Sequence, residues 1–579
     1  MQTVLVANRG EIALRIMRAC REERLKSVAI VTPDEGSPLH SRYADEAVTL
    51  VSEQPLGYLD IEAVLRAATE SGADAIHPGY GFLAENARFA QACEKAGFVF
   101  IGPSAEAISS MGDKVKARAI ALRARVPLVP GSDGPVDAGG ARAFGDEHGY
   151  PIALKASAGG GGRGFRVARS TDDVDEAFAG ASGEAERYFG DPTVYVERYL
   201  ERPRHVEIQI MADSHGNVLG LGERDCSIQR RHQKLIEESP SPVLDEAMRT
   251  AMNETAERLA KTVGYVGAGT VEFLVQDDEF FFLEMNTRVQ VEHPVTEEVT
   301  GIDIVREGLR VAAGKPLSFS QRPELHGHAI ECRINAEDPG RNFAPTPGTL
   351  TAFSVPAGFG VRVDTGFEAG AAVDPRFDNL IAKFIVWGRD RREALSRLER
   401  ALDDFEVGGV ATTIPLYKAL LRAPEFASGD YDTGFLERSG IPERITPFEA
   451  PDDETEDGEE IVVKVNGRPY SVTVPPGFGG GSSTSRQPRR SRGASSGHAS
   501  GGSAVKELKS PIQGTVLSVG VESGATVEIG QLICVVEAMK MENEITAHRA
   551  GVVSELNVAA GQSVKMGETI AVIDDAESE

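Results

Sequence analysis

The residues Lys155-Ala156-Ser157-Ala158-Gly159-Gly160-Gly161-Gly162-Arg163-Gly164 follow the apolar run Ile152–Leu154 and lead into Phe165-Arg166-Val167. Consecutive glycines let backbone N–H groups wrap phosphate oxygens and let the loop move. The stretch lacks the Gly-Lys-Ser/Thr ending of a Walker loop and does not open a helix as a dinucleotide fingerprint does. Strand, glycine loop, strand is the layout of a mobile flap over a nucleotide, with Lys155 placed to neutralise phosphate charge. Taken alone, such a stretch reads equally well as a surface turn.

A second grouping spans Thr270–Val295. Glu272 and Glu284 interrupt two strongly apolar strands, Thr270–Leu274 and Phe281–Asn286. A buried carboxylate needs a cation. With Asn286, the two acids offer oxygen ligands of the kind Mg2+ takes; two structural salt bridges are the plainer alternative. Arg288-Val289-Gln290-Val291-Glu292-His293-Pro294 comes directly after, where an arginine and a carboxylate could hold a small anion and act as its base. Arg-x-x-x-Glu is more often a helix ion pair, but the proline and β-branched residues argue against a helix here. The polar run Glu223–Lys234 carries four bases and a histidine. It reads as the basic lining of an anion site, with a solvated surface strand as the alternative.

The sharpest single feature is Lys540 in Glu537-Ala538-Met539-Lys540-Met541-Glu542-Asn543. This segment joins two halves of an internal repeat: Gly514, Gly524, Val527, Gly530, Ile533 and Val535 recur 37 positions on as Gly551, Gly561, Val564, Gly567, Ile570 and Val572. Each half is too small to bury a core alone, so the two packed around a pseudo-twofold would make a flattened β-barrel or sandwich, with the joining hairpin at an exposed tip. Methionines at such a tip suggest a docking determinant, and a protruding lysine can be acylated.

These groups need a scaffold, and the chain is long enough for several domains at 579 residues. Through about residue 440, short β-branched runs (Thr3–Ala7, Val28–Thr32, Ala73–His77, Phe98–Gly102) alternate with amphipathic helical stretches such as Glu11–Glu23, which predicts a parallel sheet with helical crossovers. Nine acids against one base between Glu443 and Glu460 read as solvated linker. Ile461–Val465 and Tyr470–Val474 around Asn466-Gly467 read as a β-hairpin. Pro475–Ser503, rich in Gly, Ser and Arg, reads as a flexible tether of root-mean-square span about 30 Å. With 61 basic and 88 acidic residues the formal charge is -27, which disfavours nucleic acid and anionic lipid as main partners. No signal peptide and no spanning segment is read, and five scattered cysteines fit reduced thiols; the expected location is the cytoplasm.

Together the pieces resemble the biotin carboxylase branch of the ATP-grasp superfamily, fused to a biotin carboxyl carrier domain, in the layout of the α-chain of actinobacterial acyl-CoA carboxylases. The resemblance runs through Ala7-Asn8-Arg9-Gly10-Glu11-Ile12-Ala13, His77-Pro78-Gly79-Tyr80-Gly81-Phe82-Leu83, Met111-Gly112-Asp113-Lys114 and Glu331-Cys332-Arg333-Ile334-Asn335-Ala336-Glu337 to the Ala-Met-Lys-Met hairpin. It implies an α/β fold in 1–442: a Rossmann-like N-terminal domain (1–113), an ATP-grasp domain (114–320) with a glycine-rich lid at about 128–199, and a C-terminal domain (321–442). A linker (443–504) and a small all-β biotinyl domain of hammerhead or flattened-barrel type (505–575) complete the layout.

Carried over residue by residue, the resemblance gives Lys114, Lys155 and the loop Gly159, Gly160, Gly161, Gly162 and Gly164 to the phosphates of ATP. It places Glu197 and Leu200 at the adenine, and His205, Gln229 and His232 at nucleotide or ribose. Glu272, Glu284 and Asn286 would bind Mg2+ (or Mn2+). Lys234, Arg288, Gln290 and Val291 would bind bicarbonate, Glu292 would deprotonate it, Arg333 would stabilise the biotin enolate, and Lys540 would carry covalent biotin. The implied partners are a biotin protein ligase and a separate carboxyltransferase β chain, in an oligomer with β chains. The implied reaction is ATP- and bicarbonate-dependent carboxylation of biotin, the first half of an acetyl- or propionyl-CoA carboxylase. An ATP-grasp ligase joining an acid to an amine, and a non-enzymatic carrier, are the alternatives that the N-terminal 440 residues alone would permit.

Overall fold

A computed structural model describes residues 1–54, 56–132, 134–156, 165–189, 191–449, 459–465, 468–474, 506–510, 514–538, 541–564 and 568–574. It separates into two compact units: residues 1–374 with 379–447, and residues 375–378 with 448–579.

The first unit opens with five parallel strands, β1 (Thr3–Val6), β2 (Lys26–Val31), β3 (Glu46–Thr49), β4 (Ala75–His77) and β5 (Val99–Phe100), in the order β3-β2-β1-β4-β5. The helix Gly10–Glu22 returns the chain from β1 to β2 and buries Ile12, Ile16 and Met17 against Val4 and Val6. Each such side chain removed from water contributes about 1.5–3 kcal/mol. The same cluster takes in Met211, Leu221, Val289 and Ile304, so it fastens the opening sheet to the later strands and helices of this unit. A small antiparallel sheet comes next: β6 (Ile152–Ala156) lies between β7 (Phe165–Ala168) and β8 (Val194–Arg198). The glycine loop 157–164 lies outside the described residues.

From there the expected parallel arrangement does not continue. β9 (Arg204–Ala212), β10 (Val218–Arg230), β11 (Gln233–Ser239), β12 (Gly267–Gln276), β13 (Glu279–Asn286), β14 (His328–Asn335), β15 (Val361–Thr365) and β16 (Leu380–Gly388) form an antiparallel sheet in the order β13-β12-β9-β10-β11-β14-β16-β15. The physical reason lies in two tight turns. Arg231 and His232 have φ of 47° and 66°, and Asp277 and Asp278 have 52° and 61°. Paired positive φ values make two-residue hairpins, which join antiparallel neighbours and need no crossover helix. Alternation then sorts the side chains. Val206, Ile208 and Ile210 of β9 pack with Met252, Ala256 and Leu259 of the helix Glu246–Val263, while Ile330, Cys332 and Ile334 of β14 pack with Leu398 and Leu402 of the helix Arg391–Asp404. The residues between them project from the opposite face.

Within this sheet Glu238 of β11 is buried, with His328 Nε2 at 2.6 Å, Arg391 Nε at 2.7 Å and the Tyr431 hydroxyl against it. Burial alone would raise its pKa; His328 and Arg391 outweigh that and hold it down to about 2. A carboxyl depressed in the folded state adds stability above its unfolded value, and that stability is lost as pH falls toward the folded value. Glu238→Gln is therefore expected to flatten the acid limb of stability between pH 4.5 and 2. Denaturant unfolding across that range checks it, and unchanged acid sensitivity would contradict it.

The second unit contains the antiparallel pair Glu459–Val465 and Arg468–Val474, with Val465 opposite Arg468; Asn466 and Gly467 lie outside the described residues. It also contains two four-stranded sheets. One orders Glu507–Lys509, Thr569–Asp574, Gly551–Leu556 and Thr526–Val527; the other orders Met541–Thr546, Leu532–Ala538, Gly514–Val519 and Ser563–Val564. The strands starting at Gly514, Thr526 and Leu532 return at Gly551, Ser563 and Thr569, which is the sequence repeat made structural. Each short strand crosses to the other half: Thr526 pairs with Val552, and Ser563 with Thr515. Neither half can therefore complete a sheet or bury Val516, Val527, Ile533, Val553, Val564 and Ile570 alone. Lys540 and Met539 lie outside the described residues; flanking them, Ala538 pairs with Met541.

Candidate functional site

Four polar residues occupy successive register positions across the large sheet. Glu284 of β13 faces Glu272 of β12, Glu272 faces Glu207 of β9, and Glu207 faces Arg224 of β10. Like charges directly opposite one another on neighbouring strands repel, so the row requires cations. Two supply the need. Arg224, with 0% exposure, donates to Glu207 Oε1 at 2.5 Å, to Gln209 Oε1 and Gln290 Oε1 at 2.6 Å, and to the hydroxyls of Thr270 and Thr296 at 3.1 Å. Lys234, buried on β11, places its Nζ 2.6 Å from Glu207 Oε2, 2.7 Å from Glu292 Oε1 and 2.8 Å from Glu272 Oε1. Burial would lower the lysine pKa, but Glu207, Glu272 and Glu292 together lift it well above its ordinary value, so it stays charged.

The turn after β13 closes the cluster. Thr287–Gln290 is irregular, in line with the sequence argument against a helix there, and the helix His293–Thr300 begins after Glu292 with Pro294 in its first turn. Glu292 Oε2 lies 2.8 Å from Arg333 Nη2, while Arg333 Nε reaches Glu237 Oε1 at 2.6 Å. Burial pushes the Glu292 carboxyl up; Lys234, Arg333 and Arg224 overcome this and hold it far below the usual carboxylate range. Glu272 behaves likewise, with Lys234 and then His205 opposing burial. Gln290 Nε2 and Asn286 Nδ2 both donate to Glu272 Oε1, at 2.7 and 2.8 Å. Arg288 bridges Asn286 Oδ1 and Glu85 Oε2, each at 2.9 Å. The Val291 carbonyl accepts from Lys383 Nζ at 3.2 Å.

The structure thus brings Lys234, Glu272, Asn286, Arg288, Gln290, Glu292 and Arg333 into one network, with His205 Nε2 at ion-pair distance from Glu272 Oε2, 2.8 Å. Others stand apart from it. Lys155 pairs with Glu197 across β6 and β8 and lies 5.8 Å from the Phe165 ring centroid. Lys114 is exposed at the start of the helix Lys114–Arg123, Leu200 is buried, and Gln229 turns its Nε2 back to the Cys226 carbonyl at 3.4 Å. His232 is exposed on the β10–β11 turn. Two readings need correction. Glu284 is exposed, so its strand is wet on that side. The run Glu223–Lys234 is neither a surface strand nor a uniform basic lining: all of it through Gln229 is buried, and Glu223 is satisfied by Arg249 at 2.9 Å.

Glu207, Gln209, Arg224, Glu237 and Thr296 were not among the sequence candidates. The alternation His205, Glu207, Gln209 against Val206, Ile208, Ile210 was the available signal, because period-2 polar positions opposite a buried apolar face must line something. Arg224→Ala would leave Glu207 Oε1 without its cation and Gln209 and Gln290 without the guanidinium they share, and breaking a buried pair this way costs about 3–5 kcal/mol. Denaturant unfolding is expected to show that loss; a change within experimental error would contradict the role given to Arg224. The oxygen donors Glu272, Glu284 and Asn286 fit a hard divalent cation such as Mg2+.

Comparison with known proteins agrees with this architecture. Residues 1–108 match the family described as biotin carboxylase, N-terminal domain; 113–320 the carbamoyl-phosphate synthase L chain, ATP binding domain; 331–438 the biotin carboxylase C-terminal domain; and 506–573 the family described as biotin-requiring enzyme. The biotin-dependent acyl-coenzyme A carboxylase alpha3 subunit of Mycobacterium leprae is 48% identical over 573 residues, 96% of this chain and 95% of that protein. Biotin carboxylase 1 of Bacillus subtilis is 50% identical over 442 residues, 76% of this chain and 98% of that protein. Among solved structures, the biotin carboxylase domain of a thermophilic 2-oxoglutarate carboxylase bound to bicarbonate superposes with a TM-score of 0.74 at 45% identity, covering 77% of this chain and 99% of that one. A biotin carboxylase complex with β-γ-ATP from Campylobacter jejuni gives 0.69 at 46% identity, covering 76% and 98%. The chain belongs to the biotin-dependent acyl-CoA carboxylase α-subunit family: it is a biotin carboxylase, an ATP-dependent ligase, fused to a biotin carrier domain.

Proposed function

We propose that this chain uses ATP to activate bicarbonate and carboxylates biotin held on its own Lys540, leaving transfer to acetyl- or propionyl-CoA to a separate carboxyltransferase β chain. The observation that carries the reading is Glu292 held between Lys234 and Arg333, at 2.7 and 2.8 Å, inside a buried polar cluster. A base gripped by two cations is weak. When bicarbonate takes Lys234, Arg288, Gln290 and the Val291 backbone as its partners, Lys234 turns from Glu292 toward the anion and Glu292 regains basicity. It then accepts the bicarbonate proton, the freed oxygen attacks the γ-phosphorus of ATP, and the bond to ADP breaks to give carboxyphosphate.

Lys114, Lys155 and the loop Gly159–Gly164 serve the phosphates, with Glu197, Leu200, His205, Gln229 and His232 along the nucleotide. Glu272, Glu284 and Asn286 would hold Mg2+, which supplies charge neutralisation at the phosphoryl oxygens. Carboxyphosphate then splits into CO2 and phosphate; biotin on Lys540 would supply the ureido nitrogen, which gives its proton to that phosphate and bonds to CO2, and Arg333 would offer its guanidinium to the negative charge that develops there. The functional division is 1–113, 114–320 with its lid, 321–442, the linker 443–504 and the carrier 505–575, in a cytoplasmic assembly with β chains and a biotin protein ligase as partners. ATP cleavage by the purified chain with and without bicarbonate tests the reading. Stimulation by bicarbonate supports it; cleavage that ignores bicarbonate but responds to a carboxylic acid and an amine would favour the acid–amine ligase instead.

A further inference from the structure

Beside Arg333 lie two buried carboxylates that the proposed reaction does not use fully. Glu237 of β11 and Glu331 of β14 are direct partners on antiparallel strands, so both leave the sheet on the same face, and each has 0% exposure. Glu237 accepts from Arg333 through Oε1, but among the described residues its Oε2 has no hydrogen-bond partner, and neither oxygen of Glu331 has one. The charged and titratable groups around them are accounted for. Lys234 is committed to Glu207, Glu272 and Glu292, and Lys383, opposite Arg333 on β16, to Glu11 and the Val291 carbonyl. Cys332 points to the far face, where the Tyr417 hydroxyl meets the Leu235 carbonyl. His293, at the start of the helix packed over these strands, is kept neutral by burial and by Lys383, Arg15 and Arg362.

Two adjacent ionised carboxylates with three bare oxygens would be costly in a dry site. A single proton between them removes one charge and gives a bare oxygen a donor. We propose that Glu237 and Glu331 share one proton, and that this singly charged pair positions Arg333 between itself and Glu292. Two protonation directions agree: burial pushes Glu237 up to about 7 and Glu331 well above the ordinary range, in each case against the pull of nearby cations. When the second proton leaves, Arg333 faces two charges on one side and is drawn from Glu292. The shared proton stands on the geometry alone; its consequence for catalysis rests on the role proposed for Arg333 at the biotin ureido group.

The test uses the full chain and Glu331→Gln, whose amide copies the protonated acid and cannot ionise. A carboxyl raised in the folded state keeps a proton that the unfolded chain has lost, so stability falls as pH rises from the unfolded value, 4.5, through the folded one, about 7 for Glu237. The wild-type unfolding midpoint is expected to fall relative to that of Glu331→Gln across this window. A difference that stays constant with pH would overturn the shared proton, and Glu237→Gln provides the same readout should Glu331→Gln not fold. For catalysis, the alkaline limb of free-biotin carboxylation is expected to move up by about one pH unit in Glu331→Gln, a tenfold change in proton concentration. An unmoved limb would overturn the positioning of Arg333 while leaving the shared proton in place. Absence of bicarbonate-dependent ATP cleavage in the wild type would instead count against the functional reading itself.

Discussion

Glu292→Gln is expected to lower bicarbonate-dependent ATP cleavage by about 10²–10⁴-fold, the usual yield of a positioned general base. The substitution keeps the shape and one acceptor oxygen but removes the charge that Lys234 and Arg333 now share. Both cations retain other anchors, Lys234 on Glu207 and Glu272 and Arg333 on Glu237, so the cluster should hold its geometry. The loss should accordingly appear in turnover with little change in the unfolding midpoint. Steady-state phosphate release with saturating bicarbonate measures it. Retention of near wild-type turnover would remove Glu292 from the chemistry.

Lys540→Ala should abolish biotin incorporation altogether, since the bond to biotin needs a lysine amine and nothing in the flanking Met539 and Met541 can replace it. The substituted chain should still cleave ATP in response to bicarbonate and carboxylate free biotin, because Glu207, Glu237 and Glu272, which hold Lys234 and Arg333 around Glu292, belong to the first unit. Mixed with a carboxyltransferase chain it should transfer nothing to acyl-CoA. Blotting with labelled avidin measures the first effect; a retained signal would move the attachment site elsewhere.

The two units differ in how much their sequence disclosed. In the carrier, a 37-residue repeat of glycines and β-branched residues foretold two like, β-rich halves, because each turn is local and the pattern recurs at one spacing. Only the exchange of Thr526–Val527 and Ser563–Val564 between halves escaped, since repeats show likeness and not pairing. In the first unit, Glu292, Glu272 and the basic run ending at Lys234 stood out in the sequence, and Arg333 came from the family resemblance. Their partners were not. Arg224 is satisfied by groups from β9, β12, the turn at Gln290 and the helix at Thr296, as far as 72 residues away. Periodicity reports which face a residue takes, not which strand lies beside it, so an arginine in a polar run looks solvated until its neighbours are known. The same limit misread the alternation of strands and helices as one parallel sheet. Turns at Arg231-His232 and Asp277-Asp278 carry no glycine to announce a hairpin.

This one chain is expected to carry out biotin carboxylation on its own carrier domain. Incubating the biotinylated chain alone with MgATP and radiolabelled bicarbonate tests it most directly. Acid-labile label is expected on the protein, dependent on ATP, blocked by avidin and absent from Lys540→Ala. Failure of the isolated chain to acquire label, or label that persists without Lys540, would contradict the claim.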